Sequence, residues 1–231
     1  MAVDDSYTKV LLHMDGVDAS TTFTDESGKT WTAYGGAQID TAQSKFGGAS
    51  GLFDGTGDYV DTPDHADFRL DEGSDANSWT IDFWVRFNGD PTGVANELMG
   101  QYVDADNYWR LNKSVNNQIR FRIRSGAVNL VDLGPNWSPA ANTWYHVAIV
   151  KQGTTGYRFF VDGTEVGTAI IDTDPMPDFA ASMIVGGCTG ANYLNGWLDE
   201  VRISKGIARW TANFTPPTIP YALFVPQIIM I

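Results

Sequence analysis

Trp144-Tyr145-His146-Val147-Ala148-Ile149-Val150-Lys151 leads into the turn Gln152-Gly153-Thr154-Thr155-Gly156 and returns as Tyr157-Arg158-Phe159-Phe160-Val161-Asp162-Gly163. Two runs rich in β-branched and aromatic residues, separated by a short glycine-bearing turn, read as an antiparallel hairpin in the middle of a sheet. The Asp-Gly pair that closes the second run supplies another tight turn. Trp79-Thr80-Ile81-Asp82-Phe83-Trp84-Val85-Arg86-Phe87 shows the same period more cleanly. Ile81, Phe83, Val85 and Phe87 fall on one face, which belongs in a core, and Asp82, Trp84 and Arg86 on the other.

The rest of the chain continues in short strands and turns. Lys9 to Met14 is a strand ending at Asp15-Gly16, and Trp31 to Ile39 is a weak strand. Lys45 to Val60 holds two strands around an Asp-Gly-Thr-Gly-Asp bend. An acidic loop follows, with one helical turn over 64–70. Glu97–Val103 and Tyr108–Lys113 flank Asp104-Ala105-Asp106-Asn107, and Ile119 to Arg124 sets Arg120, Arg122 and Arg124 on one face. Ser182–Gly187 and Trp197–Ser204 complete the set. Turn signals at steady spacing without a βαβ rhythm predict an all-β fold, two antiparallel sheets packed as a sandwich.

Of 231 residues, 43% are hydrophobic and 19% charged, enough to bury the core of a single domain. The formal charge of −13 repels phosphate backbones and anionic headgroups, so no nucleic acid and no acidic membrane is expected as a partner. A single cysteine, Cys188, excludes an internal disulfide framework and reads as a small buried apolar residue. The N-terminus shows neither a basic nor an apolar signal region. The expected setting is therefore a virion, or the extracellular space reached without a signal peptide.

Taken in order, several of these pieces resemble one family: Leu11-Leu12-His13-Met14-Asp15-Gly16, Lys45-Phe46-Gly47-Gly48-Ala49, Phe53-Asp54-Gly55-Thr56-Gly57-Asp58-Tyr59-Val60, Trp79 to Val85, Trp144-Tyr145-His146, Val161-Asp162-Gly163, and Asn195-Gly196-Trp197-Leu198-Asp199-Glu200-Val201-Arg202-Ile203-Ser204. The chain is similar to the laminin-G-like, concanavalin A-like jelly rolls, in particular the third laminin-G-like group, with the pentraxins as relatives. The resemblance implies a two-sheet antiparallel jelly-roll sandwich whose first and last core strands lie side by side. It also implies use as an adhesive or sugar-binding module in extracellular and phage structural proteins. The expected organisation is an N-terminal arm over 1–6, a jelly-roll domain over 7–217 and an apolar C-terminal tail over 218–231. The tail is too short to span a bilayer. It is either covered in cis or docked on another virion protein as an added strand, and self-association is left open.

Glucanases of this fold pair carboxylates on one strand, because glycoside hydrolysis needs an acid and a second carboxylate. None of Glu26, Glu72, Glu97, Glu165 and Glu200 is followed two residues later by Asp. Asp199 and Glu200 are adjacent, so strand geometry predicts side chains on opposite faces. No enzyme is expected and no catalytic residue is assigned. His146 reads as a hydrogen-bonded core histidine. For a sugar ligand, Tyr102, Tyr108, Trp109, Arg110, Asn192 and Tyr193 offer aromatic platforms and planar polar groups at one end of the sandwich. The resemblance to pentraxins adds Asp106 and Asn107, which read equally as a plain turn. One structural calcium is a further expectation, on Asp15, Asp25 and Asp199, with carbonyls or water completing its shell. The leading reading is a non-catalytic module for adhesion or decoration of a phage particle that recognises carbohydrate or a cell-surface glycan. The alternatives are a structural virion protein without a ligand and an accessory domain of a secreted glycan-active enzyme.

Overall fold

The computed structural model describes residues 6–221 apart from Asp75 and Thr173. In chain order the strands are β1 (Thr8–Leu12), β2 (Thr32–Tyr34), β3 (Gln38–Asp40), β4 (Ser50–Asp54), β5 (Tyr59–Thr62), β6 (Trp79–Phe87), β7 (Asn96–Asp104) and β8 (Asn107–Lys113). They continue as β9 (Ile119–Ser125), β10 (Val128–Leu133), β11 (Trp144–Lys151), β12 (Tyr157–Val161), β13 (Thr164–Glu165), β14 (Met183–Val185) and β15 (Asn195–Lys205). Among the described residues the other regular structure is two 3-10 turns, Ala66–Phe68 and Gly153–Thr155.

The strands form two antiparallel sheets stacked as a sandwich. One has eight strands in the order β13-β12-β11-β6-β15-β4-β3, with β1 also on β15; the other has seven, β10-β9-β8-β7-β14-β5-β2. β15 is long enough to pair with β4 through Asn195–Leu198 and with β1 through Val201–Ser204. The first and last core strands are thus neighbours. Strict alternation fills the space between the sheets. Ile81, Phe83, Val85 and Phe87 enter it from β6, and Trp109, Leu111, Phe121 and Ile123 from β8 and β9, all at most 1% exposed. Trp79, Trp109, Phe121 and Tyr157 cluster with ring centroids 5.4–5.9 Å apart. Each such side chain contributes roughly 1.5–3 kcal/mol by leaving water.

Two local expectations are corrected. The β11–β12 hairpin lies toward one edge of its sheet, because only the two-residue β13 lies beyond it; β6 and β15 hold the centre. The predicted strand Trp31–Ile39 breaks into β2 and β3, which belong to different sheets. The break is at Gly35, whose φ of +66° and approach to the Gly57 carbonyl, 2.6 Å from where a Cβ would stand, suit only glycine.

After β15 the chain crosses back over the solvent side of the eight-stranded sheet as a strap. Trp210 and Phe214 stack at 4.0 Å and cover Ala148, Val150 and Phe160, and Tyr221 is only 4% exposed. Residues 1–5 and 222–231, most of the expected arm and docking tail, lie outside the described residues.

Candidate functional site

Because alternation turns Val60, Met183, Trp109 and Phe121 into the core, it leaves their neighbours on the solvent face of the seven-stranded sheet. Pairing sets Tyr34 of β2 opposite Tyr59 of β5, Tyr102 of β7 opposite Tyr108 of β8, and Arg110 of β8 between Gly100 and Arg122. Tyr34 and Tyr59 stack at 4.6 Å, and Tyr193, from the loop before β15, continues the row 6.1 Å further on. Tyr102 and Tyr108 have centroids 5.9 Å apart, and the Arg110 guanidinium lies 5.3 Å from the Tyr108 ring.

Between the two groups of tyrosines lies Glu97, whose side chain is 1% exposed. Arg110 Nη1 donates to Glu97 Oε1 at 2.7 Å, while Glu97 Oε2 and Arg110 Nε have no hydrogen-bond partner. Burial pushes the Glu97 carboxyl up to about 7, against the pull of Arg110 and Arg122. The Glu97 N–H donates to the Asn192 carbonyl at 2.7 Å and ties in the Tyr193 loop. A cavity of about 100 Å³ opens beside it, lined by Tyr59, Ile184, Cys188, Gly190 and Tyr193. Cys188 is buried, and burial raises its thiol pKa. It sits tight on the sheet because position 100 is glycine, where a Cβ would lie 2.6 Å from its Sγ and 2.3 Å from the Trp109 carbonyl.

Of the ligand residues expected from sequence, Tyr102, Tyr108, Arg110 and Tyr193 come together on this face, and Asn192 stands exposed at its rim. Asp106 and Asn107 are engaged in turn chemistry. Asp106 Oδ1 accepts from Arg124 at 3.1 Å, and Asn107 donates to Asp104 at 3.0 Å and accepts the Gly126 N–H at 3.0 Å. Sequence reasoning missed Glu97, Tyr34 and Tyr59. For Tyr59 the signal was present, since Tyr59-Val60-Asp61-Thr62 alternates around a buried Val60. The arginine stripe pairs with acids: Arg120 makes a two-pronged contact with Asp132 at 2.6 and 2.7 Å, and Arg122 bonds the same Asp132 at 2.9 Å and the Tyr108 hydroxyl at 3.3 Å.

The solvent face of the other sheet carries a buried polar cluster sealed by the strap. Asp82 accepts from Arg202 Nε and Nη2 at 3.0 and 2.9 Å and bonds the Tyr221 hydroxyl. His146 Nε2 lies 3.1 Å from that hydroxyl and 3.6 Å from Asp82. Burial alone would raise the Asp82 carboxyl, but Arg202 and His146 overcome it and hold it well below the usual carboxylate range. The expectation that Asp199 and Glu200 face opposite ways is corrected by a β-bulge. Asp199 pairs with Trp84 and Arg202 with Asp82, so Glu200 and Val201 both stand opposite Phe83, and Glu200 takes a φ of +51°. Val201 keeps the core side, and Glu200 turns to the face Asp199 occupies. There it accepts the Tyr221 N–H at 2.8 Å and contacts His13 Nδ1 at 2.8 Å.

Asp15, Asp25 and Asp199 do not converge. Asp25 accepts the backbone N–H groups of Leu11 and Ser27 and the indole N–H of Trp31. Asp199 Oδ2 accepts from the Lys45 and Phe46 N–H groups, while its buried Oδ1 has no partner. Burial pushes its carboxyl up to about 8, with Glu200 and Asp15 adding to the rise. A calcium shell drawing on all three carboxylates does not fit, and among the described residues no group of three or more His, Cys, Asp or Glu side chains could hold a metal ion.

The family model described as the Concanavalin A-like lectin/glucanases superfamily, for the third laminin-G-like group, matches residues 54–209. No curated protein matches the sequence. Among solved structures, the binding domain of Paraclostridial Mosquitocidal Protein 1 matches with a TM-score of 0.65 at 15% identity over 87% of this chain and 49% of its own. The binding domain of botulinum neurotoxin serotype D matches with 0.65 at 14% over the same shares. Domain 4 of AbnA, an extracellular arabinanase from Geobacillus stearothermophilus seen with arabinotriose, matches with 0.62 at 16% over 88% of this chain and 95% of its own. The chain thus spans about half the length of the toxin binding domains and nearly all of the arabinanase domain. At these identities the likeness is one of fold.

Proposed function

Given that the chain belongs to the Concanavalin A-like lectin/glucanases superfamily, we propose that it is a non-catalytic carbohydrate-binding module whose ligand face is the solvent side of the seven-stranded sheet. One observation carries this reading. Tyr102, Tyr193 and the largely covered Tyr108 border an Arg110–Glu97 pair whose buried Nε and Oε2 lack partners, so tyrosine rings and a charged pair with spare polar capacity meet on the solvent side of one sheet. Apolar rings beside a few fixed polar groups are the chemistry that orients a sugar. The fold neighbours, toxin binding domains and an arabinanase domain holding arabinotriose, support binding over catalysis. So does the state of Asp199 and Glu200, which are at most 1% exposed and tied to backbone N–H groups.

A glycan array probed with and without calcium tests the reading. Binding that Tyr108→Ala and Tyr193→Ala abolish supports it; an array without binding, or release of reducing sugar from a polysaccharide, overturns it. The proposed setting is a phage particle, supported by the resemblance to modules of particle proteins and by a single cysteine compatible with assembly in a reducing compartment. Mass spectrometry of purified particles tests that. A calcium ion, if held, is proposed to use Asp199, whose Oδ1 lacks a partner, and Asp15, without Asp25. Calcium should then raise the melting temperature of the wild type and not of Asp199→Asn.

A further inference from the structure

The chain carries 28 acidic and 15 basic residues, yet four arginines crowd one block of the proposed ligand face. Arg110 on β8 stands directly opposite Arg122 on β9, with Asn112 opposite Arg120 and Tyr108 opposite Arg124 in the same ladder. Like charges directly opposite each other on a sheet destabilise it. These four guanidiniums share three carboxylates: Glu97 with Arg110, Asp132 with Arg120 and Arg122, and Asp106 with Arg124. The Arg110–Arg122 pair sits where the sharing is thinnest. Asp132 already serves two guanidiniums, through Nε and Nη2 of each, and the buried Arg110 Nε has no partner. The Tyr108 ring lies under Arg110, and its hydroxyl accepts from Arg122.

We propose that the space between Arg110 and Arg122 binds the anionic group of an acidic sugar, a carboxylate or a sulfate, whose ring lies against Tyr108 and Tyr102. The inference rests on the carbohydrate reading above and narrows it to a charged class of glycan. A guanidinium fits either acid group, and a second cation directly opposite holds the anion more firmly than one. The net charge of −13 does not oppose a short acidic ligand, because at physiological ionic strength fields are screened within about 8 Å, inside which the arginines dominate. The raised Glu97 carboxyl works the same way, since a carboxyl near 7 withdraws much of the one negative charge beside Arg110.

The test is calorimetric titration of the full chain with three probes: oligogalacturonate, a sulfated carrageenan oligosaccharide that carries no carboxylate, and neutral arabino-oligosaccharide. We expect binding to at least one anionic probe that weakens as sodium chloride rises, with the two anionic arms separating carboxylate from sulfate. Arg122→Gln and Arg110→Gln should each weaken it roughly tenfold or more. Arg122→Lys, which keeps the charge and loses the fork, should weaken it by less and covers the case in which the glutamine variant fails to fold. Arg158→Gln, on the other sheet, should leave it unchanged. Equal or tighter binding of the neutral probe, or anionic binding indifferent to both arginines, overturns the proposal while the carbohydrate reading stands. Binding to none of the three overturns it as well, and together with an empty glycan array removes the carbohydrate reading too.

Discussion

Replacing Asp82 with Asn removes one charge and almost no volume from the cluster under the strap. In the wild type the carboxylate is fully buried and meets Arg202 through two hydrogen bonds, with the Tyr221 hydroxyl on the same oxygen as Arg202 Nη2. Arg202 is itself 4% exposed, so the variant takes from a buried guanidinium the carboxylate that accepts two of its hydrogen bonds. Removing one partner of a buried pair costs about 3–5 kcal/mol. At this chain length each kcal/mol moves the melting temperature by about 2–4 °C, so the variant should melt about 6–20 °C lower. Urea unfolding followed by tryptophan fluorescence measures the free energy. The loss should depend on pH: a carboxyl held low in the fold stabilises it above the unfolded pKa of about 3.9, and that contribution disappears as pH falls through the lower folded value. The two unfolding curves should therefore converge in strong acid. Adding Arg202→Met to Asp82→Asn should recover most of the loss, since an apolar replacement of a buried pair is often neutral or stabilising. A loss below about 1 kcal/mol at pH 7, or a double variant weaker than the single one by the same amount again, would refute the argument.

Three further outcomes are expected. Asp199, pushed up to about 8 by burial, favours its protonated form in the fold, so wild-type stability in chelator should fall as pH rises from about 4 to about 8; Asp199→Asn should flatten that slope, and equal slopes would contradict the assignment. His13 is raised, chiefly by its hydrogen bond to Glu200, so its contribution is present below about pH 6.5 and lost as pH rises past its folded value; His13→Gln should be less stable than wild type at pH 5.5 and match it at pH 9 by urea midpoint. Gly100→Ala should cost about 1–3 kcal/mol by forcing both the Trp109 carbonyl of β8 and the Cys188 thiol away from position 100, with faster thiol labelling of Cys188 as an independent readout.

The strands were legible wherever core-facing apolar residues recur at every second position. Along β6 the alternation of Ile81, Phe83, Val85 and Phe87 with polar neighbours predicts the observed core face residue by residue. The pairing of β1 with β15 was legible only through the family resemblance, because no local pattern states which strands are neighbours. The bulge at Glu200 was hidden, since period two cannot show where an extra residue enters and turns two consecutive acids to one face. Tyr221 was read as part of an apolar tail covered either in cis or by a partner. Its place beside Asp82 depends on a contact across 139 residues of chain that composition does not encode. On the ligand face, Tyr102, Tyr108 and Arg110 could be grouped because they lie on adjoining strands of one hairpin. Glu97 could not be assigned to it, because the strand bulges between Glu97 and Met99 and its partner Arg110 lies on the next strand.

The central claim is that a sugar binds on the solvent side of the seven-stranded sheet. Backbone amide chemical shifts recorded while the isotope-labelled chain is titrated with the best ligand from a glycan array test it most directly. The account predicts saturable shifts concentrated at Glu97, Tyr102, Tyr108, Arg110 and Tyr193, with Trp84, His146 and Trp210 on the other sheet and its strap unmoved. Shifts centred on those last three, or spread along the loops while β7 and β8 stay silent, would contradict it.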